Sequence, residues 1–223
     1  MTGLSVAMAL IGLLVAYLLG SIPTGFLLVK VLKGIDIRTQ GSGNTGATNV
    51  FRVAGKGPGI TALVIDLLKG VVAVRLMVWL TSAASSPLVT SASDSVAVEI
   101  WTWLGSVFCT LAGLAAVLGH SKSVWLGFSG GKSAATGLGV LLSLAWPVGL
   151  SVAAVFGVAL GISRTVSVGS IAAALSAGVL MFLTGQPLAY VVLALLGGFY
   201  VVVLHRGNIS RLMAGTEPKT FGN

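Results

Sequence analysis

The residues in this chain that could handle a charged substrate concentrate in three short stretches. The first is Gly41-Ser42-Gly43-Asn44-Thr45-Gly46-Ala47-Thr48-Asn49-Val50-Phe51-Arg52. Its glycines and small hydroxyl or amide residues let backbone N–H groups converge on an anion without obstruction by Cβ atoms, and Arg52 adds a planar fork suited to phosphate. Gly41, Ser42, Gly43, Asn44, Thr48, Asn49 and Arg52 are therefore candidate phosphate contacts, although polar turns of this kind also serve as plain loops between membrane helices. The second stretch runs from Gly119 to Ser133 and ends in Gly130-Gly131-Lys132-Ser133, which opens a helix. Its N–H groups, the positive end of the helix dipole and the Lys132 ammonium can all aim at one phosphate. The third is His205-Arg206-Gly207-Asn208-Ile209-Ser210-Arg211-Leu212, followed by Glu217. Here His205, Asn208 and two fixed charges, Arg206 and Arg211, stand beside a single carboxylate.

Other chemistries lack support. Gly130 to Ser133 has the look of a nucleotide-binding loop, but that motif needs a glycine where this chain has Leu126, and a preceding strand where it has a membrane helix. His120 could be a base, a donor to developing negative charge, or an interfacial cap. With two histidines and five dispersed carboxylates the chain offers no ligand set for a metal, and no cofactor is expected. Ser42 and His120 could approach in space, but no Ser-His-Asp set is evident. Asp66 and Lys69 lie one turn apart inside an apolar segment. They read either as support for a nearby site or as a mutually neutralising pair.

These stretches must be positioned by membrane helices. The chain of 223 residues is 56% hydrophobic and 8% charged, with mean hydropathy +1.03. Soluble domains carry roughly a quarter charged residues, so lipid must solvate most of this surface. The net charge of +8 suits anionic lipid or a phosphorylated substrate. Nucleic acid is not expected, since no long basic run or aromatic platform is present. Cys109 lies in an apolar run and reads as a packing residue.

The expected spans are Leu4–Leu32, Pro58–Leu80, Ile100–Leu118, Ala134–Ala145, a segment from Trp146-Pro147 to Ile162, Val166–Leu183 and Pro187–Leu204. The first lacks positive charge ahead of its apolar core and so reads as a spanning helix and not a signal peptide, with a kink at Pro23. Ala47–Val53 reads as a short interfacial helix, and Thr81–Ser95 as a loop. A turn at Trp146-Pro147 puts Lys30, Lys33, Arg38, Arg52, Lys56, Lys122, Lys132, Arg164, Arg206, Arg211 and Lys219 on one side, with Asp94 and Glu99 on the other. The positive-inside rule then predicts a single all-α domain over 1–223 with seven transmembrane helices, the N-terminus outside and the C-terminus cytoplasmic. All three polar stretches emerge on the cytoplasmic face, where they can form one site. The short fourth helix places Gly131 and Lys132 at the floor of a recess.

In order and spacing the three stretches resemble the bacterial acyl-phosphate:glycerol-3-phosphate acyltransferase family known as PlsY. The resemblance is carried by Asp36-Ile37-Arg38 with Gly41 to Arg52, by Gly119-His120, Gly130-Gly131-Lys132 and Ala135-Thr136, and by His205 to Leu212 with Gly215-Thr216-Glu217. It covers essentially the whole chain. The chain departs from the family after Gly119-His120, having Lys122 and Ser123 where an aromatic and a proline are usual.

The resemblance implies a multi-pass protein of the bacterial cell membrane that transfers a fatty acyl group from acyl phosphate to the 1-hydroxyl of glycerol 3-phosphate, giving lysophosphatidate and phosphate. It implies catalytic roles for Ser42, Arg52, His120, His205, Asn208 and Glu217. Gly130, Gly131 and Lys132, with Ser133, Arg206 and Arg211 nearby, would hold substrate phosphate, while Asp66 and Lys69 would support the site. The base is either His120 or the acyl phosphate itself. The acyl chain would lie between helices, reached from the membrane. A carrier for a phosphorylated anion would use the same donors, but needs a site near the midplane open to both faces.

Overall fold

The computed structural model describes residues 3–89 and 95–220, and among these it holds ten α-helices. They are α1 (Gly3–Ser21), α2 (Thr24–Lys33), α3 (Ala47–Ala54), α4 (Lys56–Val89), α5 (Ser95–Ser121), α6 (Ala134–Leu144), α7 (Trp146–Ser163), α8 (Val166–Leu183), α9 (Leu188–Leu204) and α10 (Arg206–Met213). Among the described residues four helical stretches are long and apolar enough to cross a membrane: Ala7–Lys33, Val98–Ser121, Trp146–Ser163 and Val166–Leu183. A fifth is reached if Leu188–Leu204 and Arg206–Met213, bent by 57°, form one span. Large apolar side chains such as Leu10, Trp79, Phe182 and Phe199 point outward, as a surface solvated by lipid requires.

The breaks fall where proline and polar residues put them. Pro23 has no N–H to give the preceding turn, so α1 stops at Ser21 and α2 restarts at Thr24. The Ile22 carbonyl at this break accepts hydrogen bonds from the Thr24 N–H at 3.0 Å and from the Lys69 ammonium of α4 at 2.5 Å, which ties the break to α4. Ala145 leaves the helical conformation between α6 and α7 (φ −150°, ψ 87°), and Pro147 sits in the first turn of α7, where its missing N–H costs nothing.

One expected boundary is corrected. The stretch Thr81–Ser95 was expected to be a loop, yet α4 continues through Val89 and α5 begins at Ser95. Hydroxyl residues are tolerated in a helix when they bond back to the preceding turn, as Thr81 Oγ1 does to the Met77 carbonyl at 2.9 Å. Asp94 lies outside the described residues.

Between lipid-solvated helices close contact replaces the hydrophobic effect, so small residues mark the interfaces. Gly70 of α4 rests on the backbone at Thr136 of α6, and Gly139 of α6 rests on the backbone at Leu67 of α4. Gly20 of α1 and Gly119 of α5 make the same reciprocal approach. One apolar cluster, including Ala73, Met77, Ala112 and Ala116, joins α1, α4 and α5. A second, including Leu141, Val148, Ala177 and Met181, joins α6 to α9. A third, of Val29, Ile37, Val50 and Ala62, seats the polar loop between α2 and α3.

Candidate active site

The loop from Gly41 to Arg52 is folded around Asn49, which is 2% exposed. Its amide N–H groups donate to the carbonyls of Gln40 at 3.0 Å and Asn44 at 2.8 Å, and its Oδ1 accepts from the Ser42 N–H at 3.0 Å. Gly41 and Gly43 have φ of 57° and 69°, a region that disfavours residues with a Cβ, and a Cβ at Gly41 would also collide with Asn49 Oδ1. Asn49, Gly41 and Gly43 thus shape the loop. Ser42, Asn44, Thr48 and Arg52 are left facing a common cavity, which Asn49 also borders. Among the described residues the Arg52 guanidinium makes no hydrogen bond or ion pair, so its fork is open to a ligand. Asp36 and Arg38 pair with each other at 2.6 Å, with Arg38 over the Phe26 ring, and do not line the cavity.

The second loop is tied to the first, since Asn44 Nδ2 donates to the Gly130 carbonyl at 3.3 Å. After Gly119-His120, Ser123 donates from Oγ to the Ser21 carbonyl at 2.6 Å, and Tyr17 donates to the Lys122 carbonyl at 2.8 Å. These bonds fasten the loop to the end of α1. Ser133 has φ of 59°, and its hydroxyl donates to the Val117 carbonyl at 2.7 Å, so this side chain holds the start of α6 in place. That start faces the cavity through Ala134 and Ala135, presenting the unpaired N–H groups of a first helical turn beside Lys132.

His120 is wedged between two parts of this scaffold. Its Nδ1 lies 3.6 Å from Asp66 Oδ1, and a Cβ on Gly131 would overlap its Nε2. The Gly131 N–H donates to the His120 carbonyl at 3.0 Å. Asp66, 2% exposed, in turn accepts from Lys69 at 2.7 Å. The two readings of Asp66 and Lys69 therefore meet: the pair neutralises itself within the membrane helix, while Asp66 borders the cavity beside His120.

The third cluster closes the site. Lys132 Nζ donates to Asn208 Oδ1, and Asn208 Nδ2 donates to Glu217 Oε1 at 2.5 Å. Glu217 also accepts from Ser167 at 2.8 Å and from Arg211 Nε at 2.7 Å. Burial raises the Glu217 carboxyl pKa, but the bonds from Asn208, Ser167 and Arg211 prevail and hold it below the ordinary glutamate value. Burial pulls the Lys132 ammonium below the ordinary lysine value; Glu217 opposes this, while Arg211 and Arg52 reinforce it. His205 Nδ1 lies 2.8 Å from the Val201 carbonyl. A carbonyl can only accept, so Nδ1 carries the proton, and Nε2 of the neutral ring keeps its lone pair.

These groups rim a cavity of about 410 Å³ whose polar mouth leads into an apolar arm between α6, α7, α8 and α9. Ser42, Asn44, Thr48, Asn49, Arg52, Asp66, His120, Lys132, Ser133, His205, Asn208 and Glu217 all border it. Gly41, Gly43, Gly130, Gly131, Lys69, Arg206 and Arg211 do not; Arg211 is held by Glu217, and Arg206 points to the exterior. Ser167 and Ser170 line the cavity without having been expected there. Their signal was two serines one turn apart at the start of an otherwise apolar span.

The chain as a whole is similar to known enzymes. The family model for glycerol-3-phosphate acyltransferase matches residues 10–215. The chain is 54% identical over 208 residues to a glycerol-3-phosphate acyltransferase of Nostoc sp., covering 92% of this chain and 89% of that one. It is 53% identical to one of Acaryochloris marina, covering 93% and 90%. Two crystal structures of PlsY, an integral membrane glycerol 3-phosphate acyltransferase, superpose at 37% identity. The glycerol 3-phosphate form has a TM-score of 0.81 over 96% of each chain, and the lysophosphatidic acid form has 0.76 over 96% of this chain and 95% of that one. Family model, sequence identity and fold agree: the chain belongs to the glycerol-3-phosphate acyltransferase family.

Proposed function

We propose that this integral membrane acyltransferase moves a fatty acyl group from acyl phosphate to the 1-hydroxyl of sn-glycerol 3-phosphate, giving lysophosphatidate and inorganic phosphate. The observation that carries the reading is the joining of three polar loops, through Asn44 to Gly130 and through Lys132 to Asn208 to Glu217, at the mouth of an apolar cavity. Such a mouth suits two phosphate-bearing substrates, one of which has a long apolar tail.

Lys132 and the N-terminus of α6, shaped by Gly130 and Gly131, hold the phosphate of glycerol 3-phosphate. Ser42, Arg52 and Asn44 hold the donor phosphate, and Arg52 balances the negative charge that grows on it. His205 and Asn208 orient the acceptor and the acyl carbonyl. The acceptor oxygen bonds to the acyl carbon as the bond from that carbon to the phosphate oxygen breaks. The hydroxyl proton passes to the departing phosphate, which leaves as hydrogen phosphate. His120, wedged between Asp66 and Gly131, keeps the Lys132 loop in place. No metal or cofactor enters the scheme.

An acyl phosphate is already activated, and neither histidine has the aspartate five positions on that thioester-using glycerolipid acyltransferases employ; those positions are Trp125 and Ser210. Purified protein given glycerol 3-phosphate with acyl phosphate, acyl-coenzyme A or acyl carrier protein thioester in separate assays is expected to form lysophosphatidate from acyl phosphate alone. Comparable turnover with either thioester would overturn the donor assignment.

Residues 1–223 act as one domain in the bacterial cell membrane, with seven spans formed by α1 with α2, α4, α5, α6, α7, α8 and α9. The N-terminus is outside, and the site and C-terminus are cytoplasmic. The one-sided placement of Lys and Arg supports this orientation. Reporter fusions after Asn223 are expected to report the cytoplasm, and fusions within 82–93 the exterior. The opposite result for the tail would remove the seven-span topology.

A further inference from the structure

The apolar arm of the cavity has a measurable depth and a floor. Along α9 its lining runs from His205 down to Leu193, about 18 Å at 1.5 Å per residue. Along α8 it runs from Val166 to Ala177, about 16 Å on the same measure. Below that level the space is filled by Met181 and Val148, with exposures of 0% and 1%, packed with Ala145 and Val191.

Glycines give the arm its width. Gly139 and Gly198 have no side chain because a neighbouring helix backbone occupies the space. Gly197 of α9 and Gly137 of α6 are different: both border the cavity, and a Cβ on either would meet no protein atom within 4 Å. Helix interiors disfavour glycine by about 1 kcal/mol relative to alanine, and here no helix packing calls for it.

Resting on the acyl-transfer reading above, we infer that the arm is a ruler for the acyl chain, in which Gly197 keeps the passage open and the layer at Met181 and Val148 sets its end. An extended chain advances about 1.2 Å per bond, taking the reach of an extended residue over its three bonds. The arm therefore admits a straight chain of about fourteen to sixteen carbons, and a branched side chain at Gly197, about 12 Å below His205, closes it near ten.

The test measures kcat/KM of purified wild type, Gly197→Leu and Gly157→Leu with octanoyl, dodecanoyl and hexadecanoyl phosphate at saturating glycerol 3-phosphate. Gly157 is an exposed glycine of α7 that lies outside the cavity and likewise has no atom near its Cβ position, so it controls for adding leucine to a helix. In Gly197→Leu the hexadecanoyl to octanoyl ratio is expected to fall about tenfold or more, the scale on which a filled pocket discriminates chain length. In Gly157→Leu it is expected to match wild type. A folded Gly197→Leu enzyme that keeps the wild-type ratio, or loses all three donors equally, overturns the ruler. Should leucine prevent folding, Gly197→Ala must still lower the ratio, and an unchanged ratio overturns the ruler equally. Wild type that makes no lysophosphatidate from any acyl phosphate overturns the acyl-transfer reading and the ruler with it, a result distinct from an active enzyme without chain-length discrimination.

Discussion

Replacing Lys132 with alanine is expected to raise the KM for glycerol 3-phosphate tenfold or more, with a smaller effect on the KM for acyl phosphate. Lys132 stands at the entry to α6, where its ammonium and the first-turn N–H groups converge on the cavity. A charge-assisted hydrogen bond to phosphate contributes about 1.5 to 3 kcal/mol, which corresponds to a change in affinity of about tenfold to a hundredfold. The fold is expected to survive, because Asn208 keeps its bond to Glu217 when the ammonium is removed.

The same site has a pH signature. A phosphate monoester takes its second negative charge near pH 6, so binding strengthens as pH rises through that region. Burial holds the Lys132 ammonium below the ordinary lysine value, so the charge that meets the phosphate is lost earlier in the alkaline range than for an exposed lysine. KM should therefore rise again at alkaline pH. In Lys132→Arg the guanidinium stays charged, and the alkaline rise should disappear even if the minimum KM is higher. An unchanged KM in folded Lys132→Ala enzyme would remove this residue from the acceptor site.

Much of this site can be read in the sequence, for a definite reason. Charged and amide residues are so costly in an apolar chain that each one present is informative, and the three polar stretches indeed meet around one cavity. Helices announced themselves equally well: Val166–Leu183 was expected and is α8, and the break at Trp146-Pro147 is where proline and chain length require it. The division of labour inside the cradle was less visible. Ser42 and Asn49 have similar polarity in the sequence, yet Asn49 has its amide turned onto the Gln40 and Asn44 carbonyls while Ser42 borders the cavity. Which amide closes its own loop depends on backbone path, which composition does not encode. Partners distant along the chain were also hidden. Lys69 was paired with Asp66 from helical spacing, but its bond to the Ile22 carbonyl, across the break at Pro23, depends on how α4 packs against α1 and α2. Ser167 is not legible as a site residue because a serine in an apolar span commonly bonds back to its own helix, as Ser151 does.

Removing the Glu217 carboxylate is expected to lower kcat/KM about a hundredfold, although the carboxylate touches neither substrate in the proposed scheme. Glu217 is the end of a relay: its Oε1 accepts from Asn208 and Ser167, its Oε2 from Arg211, and Asn208 in turn accepts from Lys132. In Glu217→Ala two buried donors lose their acceptor, and Asn208 is free to rotate away from Lys132. Loss of one preorganised donor in an acyl-transfer site costs about a hundredfold to a thousandfold in rate, and a group acting through Asn208 should fall at the lower end. If the relay is real, Asn208→Ala and Glu217→Ala will each produce most of the loss, and the double variant will be little worse than either. Stability should respond with a definite sign. The folded carboxyl is held below its ordinary value, so its contribution is full at neutral pH and is lost as pH falls through the folded-state pKa. Wild type should thus lose thermal stability on acidification faster than Glu217→Gln, which has no such proton to bind. Glu217→Ala enzyme with wild-type kcat/KM, or a double variant whose losses multiply, would show that Asn208 and Lys132 hold their positions without Glu217.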